Sequence, residues 1–300
     1  MKIKSIRFLV SPLSIGLIIL LVAGGFLSYK INERLDRDIF FQPRGEITDT
    51  PQKFDLDFET ISLTTSDQTK IHAWYIPGTL DAGIVVSPGY KNSMSAMVKY
   101  LPFLHDAGYH LLVYCPRGQG ESDGKLYAFG SFQSLDVEAG MDFLKSKNID
   151  KIALFGHSNG AVASLIAASQ HPDEIFAVVA DSPFATLKMA SESPDNIDHF
   201  MQALFPLYQG MAHMRLGYDL IEKTSALKII DNVSRVIFIH SEDDSFVTYH
   251  NSKLLNERAK EPKELWLAKG AEHVKIFDLS SEEYSKRVLE FLLRMKDTTH

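Results

Sequence analysis

The pentapeptide Gly156-His157-Ser158-Asn159-Gly160 sets one serine midway between two glycines. The apolar run Lys151 to Phe155 precedes it, and the small, apolar stretch Ala161 to Leu165 follows at once. Together they predict a strand, a tight turn and a helix, the setting in which G-x-S-x-G presents a nucleophile. Such a turn holds the serine backbone in strain, and the glycines let strand and helix pass without a Cβ clash. Ser158 then stands above a sheet at a helix N-terminus, where the helix dipole and unbonded N–H groups favour developing negative charge. The letters alone are a weak signal, since a serine in a Gly-rich turn also serves as a simple helix cap. The strand before and the helix after make it specific.

A hydroxyl is a poor nucleophile until a base takes its proton, and the base must be oriented by an acid. Both types occur downstream at strand ends. The apolar run Arg235 to Ile239 ends in His240-Ser241-Glu242-Asp243-Asp244-Ser245-Phe246-Val247, so Asp243 and Asp244 are candidate acids. The run Glu264 to Leu267 leads to Ala271-Glu272-His273, just before the last helical pattern. His273 is the candidate base. His171 reads as a helix-end residue, His240 as structural, and His157 as the variable position of the turn; His199, His213 and His250 fall in an insertion or on a helix. Two backbone N–H groups should hold an oxyanion. One belongs to Asn159; the other is that of Tyr90, in Ser87-Pro88-Gly89-Tyr90, where Pro88 has no N–H and Gly89 permits the turn.

These groups need a frame. Phe58 to Leu63 alternates apolar and polar, Ser66-Asp67-Gln68 is a turn, and Lys70 to Ile76 returns, which predicts a hairpin. The runs Gly83 to Val86, His110 to Tyr114, Lys151 to Phe155, Ile175 to Ala180, Arg235 to Ile239 and Glu264 to Leu267 do not alternate. That is the pattern of parallel strands buried on both faces. Amphipathic helices fit between them at Ser93 to Gly108, Phe132 to Lys147, Ser158 to His171, Ser245 to Lys260 and Ser281 to Arg294. Alternating strand and helix predicts one mostly parallel, doubly wound α/β domain over residues 54–300. Residues 183–232 interrupt it with a helical insertion rich in Met189, Met201, Phe205, Tyr208, Met211 and Met214, expected over the carboxyl edge of the sheet.

At the other end, Lys2, Lys4 and Arg7 precede the uncharged run Phe8 to Leu27. Its 20 residues span about 30 Å as a helix, the thickness of a bilayer's hydrocarbon core. The run is longer than the core of a signal peptide, so residues 1–28 are expected to be an uncleaved transmembrane anchor and 29–53 a polar tether. A cleaved signal and a buried core helix are the competing readings. The leading charges favour a cytoplasmic N-terminus and an extracytoplasmic domain, although Lys30, Arg34 and Arg37 weaken that bias.

Composition narrows the classes. Hydrophobic residues make up 45% and charged residues 23% of the chain, which excludes a disordered chain, a collagen-like fibre and a polytopic membrane protein. With 31 basic and 38 acidic side chains the net charge is -7, unsuited to binding nucleic acid. The lone Cys115 excludes an internal disulfide and any Cys-rich metal site.

Taken together, these residues resemble the α/β-hydrolase superfamily, in particular its anchored serine hydrolases described as serine aminopeptidase-like or acyl-ester hydrolases. The resemblance covers about residues 54–296. Residues Tyr114 to Ser122 look like the family's D-x-R-G-x-G-x-S loop with Cys115 in place of the Asp, and Ser87 to Tyr90 look like its H-G-x loop with Pro88 in place of the His. His240 to Val247 are similar to H-G-x-x-D-x-x-V, with Ser241 for Gly, and this selects Asp244 over Asp243. Asp181-Ser182-Pro183-Phe184 matches a loop whose aspartate is structural. The resemblance implies an α/β-hydrolase fold with a helical lid, a Ser158–Asp244–His273 triad, oxyanion donors at Tyr90 and Asn159, and no metal or cofactor. It also implies cleavage of carboxylic esters or thioesters of acyl or lipid-like small molecules through an acyl-enzyme. An aminopeptidase on the same triad, with Glu192, Asp195 or Asp198 holding a free amine, and a non-catalytic anchored binding protein are the alternatives.

Overall fold

Short apolar runs become a single sheet. In chain order the strands are β1 (Glu59–Thr64), β2 (Lys70–Ile76), β3 (Ala82–Ser87), β4 (His110–Tyr114), β5 (Lys151–His157), β6 (Ile175–Asp181), β7 (Val236–Ser241) and β8 (Lys263–Ala268). They lie in the order β1-β2-β4-β3-β5-β6-β7-β8. β2 runs antiparallel to β1 and β4, and the remaining pairs are parallel. The computed structural model describes residues 11–40, 43–196 and 198–298, and of residues 200, 201 and 298 the backbone alone. Lys2, Lys4 and Arg7, on which the expected orientation rests, lie outside the described residues, as does the side chain of Met201.

Strand residues alternate between two apolar layers. Val85, Leu112 and Leu154 face α3 (Gln133–Ser146), α4 (Asn159–Gln170) and α10 (His250–Arg258). Ile84, Val113 and Phe155 face α2 (Leu101–Asp106), α11 (Ile276–Leu279) and α12 (Ser281–Thr298). Every residue of β3 and β6 is buried, as expected of strands covered by helices on both faces. β8 departs from that expectation: all six of its residues are only partly buried, because it is the outermost strand of the sheet. The segment read as one helix over Ser93 to Gly108 is a 3₁₀ helix, Met94–Tyr100, followed by α2. Pro102 lacks the N–H needed to continue a helical ladder and sits in the first turn of the new helix, where none is required.

Between β6 and β7 the chain forms α5 (Leu187–Ser191), α6 (His199–Ala203), α7 (Phe205–Leu216), α8 (Leu220–Lys223) and α9 (Ala226–Ile229), with no strand among the described residues. The first helix, α1 (Pro12–Leu35), begins at a Ser11 cap and continues through a π-helical turn to Phe40. The polar segment read as a tether from residue 29 is therefore helical up to residue 40. Ile31, Leu35 and Ile39 recur every four residues, and all three are fully buried against Ala128, Ala212 and Leu220. Interspersed charges hide this stripe when the run is judged by net polarity. Upstream the helix is bare: none of its apolar window is buried, and it is long and apolar enough to cross a membrane.

Candidate active site

The position of Ser158, the candidate nucleophile, follows from the β5–α4 turn. Ser158 has φ 49° and ψ −114°, a region that non-glycine residues enter only when their surroundings fix it. Its N–H donates to the Asp181 carbonyl at 2.7 Å and its carbonyl accepts from Val162 at 3.1 Å, which pins the turn from both sides. The close approach needs glycine. A Cβ on Gly160 would lie 2.3 Å from the Ser87 carbonyl oxygen, and one on Gly156 would lie 2.5 Å from the Gly160 carbonyl carbon.

The structure brings the three polar side chains together from the ends of β5, β7 and β8. Ser158 Oγ lies 2.9 Å from His273 Nε2, and His273 Nδ1 lies 2.6 Å from Asp244 Oδ2. With the proton on Nδ1 donated to the carboxylate, Nε2 is left to accept the serine hydroxyl. Asp244 has no exposed side-chain area. Burial alone would raise its pKa, but hydrogen bonds from His240, His273 and the Val247 N–H outweigh burial and hold it well below the usual carboxylate range. Its Oδ1 accepts from the N–H groups of Phe246 at 3.0 Å and Val247 at 2.8 Å. Asp243, the rival acid, points elsewhere and accepts from the Gly270 N–H at 2.6 Å.

Asn159 is the first residue of α4, so its N–H has no acceptor within the helix. Its side-chain amide donates to the Tyr127 hydroxyl at 2.9 Å. The Tyr90 loop passes beside Ser158: a Cβ on Gly89 would lie 3.5 Å from that of Ser158. The Tyr90 hydroxyl donates to the Asp38 carbonyl at 3.3 Å, and the Tyr127 N–H donates to the Ile39 carbonyl at 2.7 Å. Both candidate oxyanion residues are thus tied to the end of the first helix, a relation that local sequence patterns do not carry.

The other singled-out residues are structural in geometry. His240 is buried, with Nδ1 2.7 Å from Ser252 Oγ and Nε2 2.7 Å from the Val247 carbonyl and 3.2 Å from Asp244. Asp181 accepts from Ser182 and Tyr284 hydroxyls at 2.8 Å each. Cys115, which stands where the resemblance leads one to expect Asp, is buried, and burial pushes its thiol up to about 11. The loop it begins is held instead by Arg117, whose N–H and Nε both donate to Asp136 at 2.9 Å and whose Nη1 donates to Asp67 at 2.7 Å. Neither acid is marked by a motif, because the pairing is made only by the tertiary fold.

A cavity of about 470 Å³ opens over Ser158 and Asn159. Phe184, Leu187, Phe205, Tyr208, Ile221 and Phe246 give it an apolar wall. The insertion's described methionine side chains do not line it: Met189 packs on the core, Met211 on the first helix, and Met214 is 76% exposed. Of the acidic trio in the insertion, Asp198 reaches the cavity, whereas Glu192 pairs with Lys188 at 2.8 Å and Asp195 binds Ser245. Among the described residues no cluster of His, Cys, Asp or Glu is arranged to hold a metal.

Known proteins share this frame. Residues 78–210 match the family described as serine aminopeptidase, S33. The Bacillus subtilis protein YqkD is 26% identical over 304 residues, covering 99% of each chain. A Saccharomyces cerevisiae relative named as a membrane protein is 24% identical over 58% of this chain and 62% of its own. The Pyrococcus furiosus esterase Pf2001 superposes with a TM-score of 0.71 at 26% identity, over 85% of this chain and 98% of its own. The strand–Ser–helix turn in a mostly parallel eight-stranded sheet, with a helical insertion after β6, agrees with these likenesses, and the chain has the α/β-hydrolase fold.

Proposed function

We propose that this chain is a serine hydrolase that cleaves carboxylic ester or thioester bonds of acyl or lipid-like small molecules. The observation that carries the reading is the continuous relay Ser158–His273–Asp244, at 2.9 and 2.6 Å. In the reaction Ser158 Oγ attacks the substrate carbonyl carbon while its proton passes to His273 Nε2. The oxyanion is held by the N–H groups of Tyr90 and Asn159. His273 then gives the proton to the departing alcohol or thiol, leaving an acyl group on Ser158. Water repeats the cycle and releases the acid. Asp244 keeps the ring in its tautomer and stabilises the imidazolium.

The likeness to an esterase supports ester cleavage, and the apolar wall of the cavity supports an acyl substrate. The bare first helix supports a single-pass membrane protein, and the leading Lys2, Lys4 and Arg7 support a cytoplasmic N-terminus with the hydrolase domain extracytoplasmic. The test is labelling of the full chain by a fluorophosphonate together with turnover of p-nitrophenyl acyl esters. Wild type should label and turn over, and Ser158→Ala should do neither; a folded wild type that resists the probe sinks the reading. Asp198 in the cavity wall and the aminopeptidase description favour a second reading, an aminopeptidase. Faster turnover of aminoacyl amides than of acyl esters selects it.

A further inference from the structure

The cavity over Ser158 is not closed by the lid alone. Its far wall is the end of the first helix, which contributes Arg34, Arg37 and Asp38. From Ile31 onward this helix presents one face to the lid and another to the cavity. Ile31, Leu35 and Ile39 are buried. Arg34 and Asp38, one turn apart, pair with each other on the cavity side, and Arg37 stands 3.5 Å from the same carboxylate. The wall is fixed in place. Arg215 of α7 donates to Asp36 at 2.7 Å and to Asn32 at 3.3 Å, and Ile39 and Asp38 hold Tyr127 and Tyr90 through their carbonyls.

Charge in this wall runs against the charge of the chain. The described lining carries three cations, Arg34, Arg37 and Lys91, and two carboxylates, Asp38 and Asp198. The cavity is therefore net positive in a chain of net charge -7. Two guanidinium groups share Asp38, whose side chain is only 15% exposed, while that of Arg37 is 55% exposed. A guanidinium in that state keeps donors for a carboxylate or phosphate. Entry of an acyl chain expels water from the apolar wall and strengthens that attraction.

Position along the helix adds a constraint. Arg34 lies seven residues beyond Leu27, the end of the apolar run, or about 10 Å at helical rise. The polar layer on one side of a bilayer is about 5–8 Å thick. The cationic wall thus stands just outside the headgroup layer, facing it, when the apolar run spans the hydrocarbon.

On the reading of the site as a serine ester hydrolase, we propose that Arg34 and Arg37 form an anion subsite, and that the substrates are single-chain acyl esters bearing a phosphate or carboxylate. The first helix is then a recognition element as well as an anchor.

The test uses the full chain in non-ionic detergent micelles, which removes any anionic membrane surface. Two charged esters are each compared with an uncharged counterpart: 1-oleoyl lysophosphatidic acid with 1-oleoylglycerol, and the p-nitrophenyl half-ester of a dicarboxylic acid with its methyl-capped form. The first pair puts a phosphate on the alcohol side, the second a carboxylate on the acyl side. Wild type should favour at least one charged member. Arg37→Gln should lower kcat/KM for that ester about tenfold, chiefly through KM, and leave its uncharged counterpart unchanged. Arg37→Lys should retain most of the preference. Unchanged turnover of the uncharged ester also reports that the variant is folded. Equal use of charged and uncharged esters by wild type, or an equal loss on both in Arg37→Gln, overturns the subsite and leaves the hydrolase reading intact. Hydrolysis of the uncharged ester that survives Ser158→Ala overturns the hydrolase reading itself.

Discussion

At the scale of single residues, the acid of the proposed relay is the sharpest choice the chain makes. Asp243 and Asp244 are neighbours of identical chemistry, yet only Asp244 meets His273, while Asp243 caps the Gly270 N–H. The amide of Asp244→Asn keeps the shape but presents the wrong partner to Nδ1, so kcat for an acyl ester should fall by about 10³–10⁴-fold. Asp243→Asn should cost less than about tenfold, because a loop hydrogen bond of this kind is worth roughly 1 kcal/mol. Steady-state kinetics on both variants decide it, and comparable losses would reassign the acid. His157 makes a different prediction. Burial lowers its pKa from 6.5 to about 4, although Asp181 acts in the opposite sense. Because the folded value is depressed, its contribution to stability is complete above about 6.5 and is lost as pH falls towards 4. His157→Gln cannot titrate, so its melting temperature should fall less than that of wild type between pH 7 and 4. Parallel curves would show that the ring does not drive acid sensitivity.

At the scale of elements, the turn between β5 and α4 is legible in the sequence because its requirements are local. Gly156 and Gly160 stand where neighbouring backbone leaves no room for a Cβ, and the apolar runs on either side declare strand and helix. Gly160→Ala must push α4 away from the Ser87 carbonyl, which also carries the Tyr90 loop. A loss of about 3 kcal/mol in stability is expected, within the range for steric strain in a packed core. Thermal unfolding measures it, and a loss under about 1 kcal/mol would mean the turn adapts freely. Other features depend on which elements become neighbours. The run forming β8 reads like a central strand, since periodicity does not say which strand ends a sheet. Asp67 and Asp136 carry no local mark of their pairing with Arg117. The Ile31–Leu35–Ile39 stripe has helical spacing, but the charges between its members resemble a solvated linker until α7 is placed against it.

At the scale of the whole molecule, that stripe divides the first helix into two parts. From Leu13 to Tyr29 its large apolar side chains are exposed apart from Leu27, Leu13 at 87% and Tyr29 at 63%. From Ile31 the same helix belongs to the hydrolase domain: its apolar side chains fill the space beside α7, and its carbonyls hold Tyr90 and Tyr127. The two parts should separate on truncation. Among the described residues, a chain lacking residues 1–28 loses mainly exposed surface and one partly buried contact, that of Leu27, so it should leave the membrane fraction yet keep nearly the melting temperature and ester turnover of the full chain. A chain lacking residues 1–42 loses three fully buried aliphatic side chains, worth about 1.5–3 kcal/mol each, and the supports of both candidate oxyanion residues. Its melting temperature should fall by roughly 10 °C or more, and kcat should fall even where the protein remains folded. Equal behaviour of the two truncations would show the helix to be an anchor alone. Failure of the shorter truncation to leave the membrane would place the attachment elsewhere in the chain.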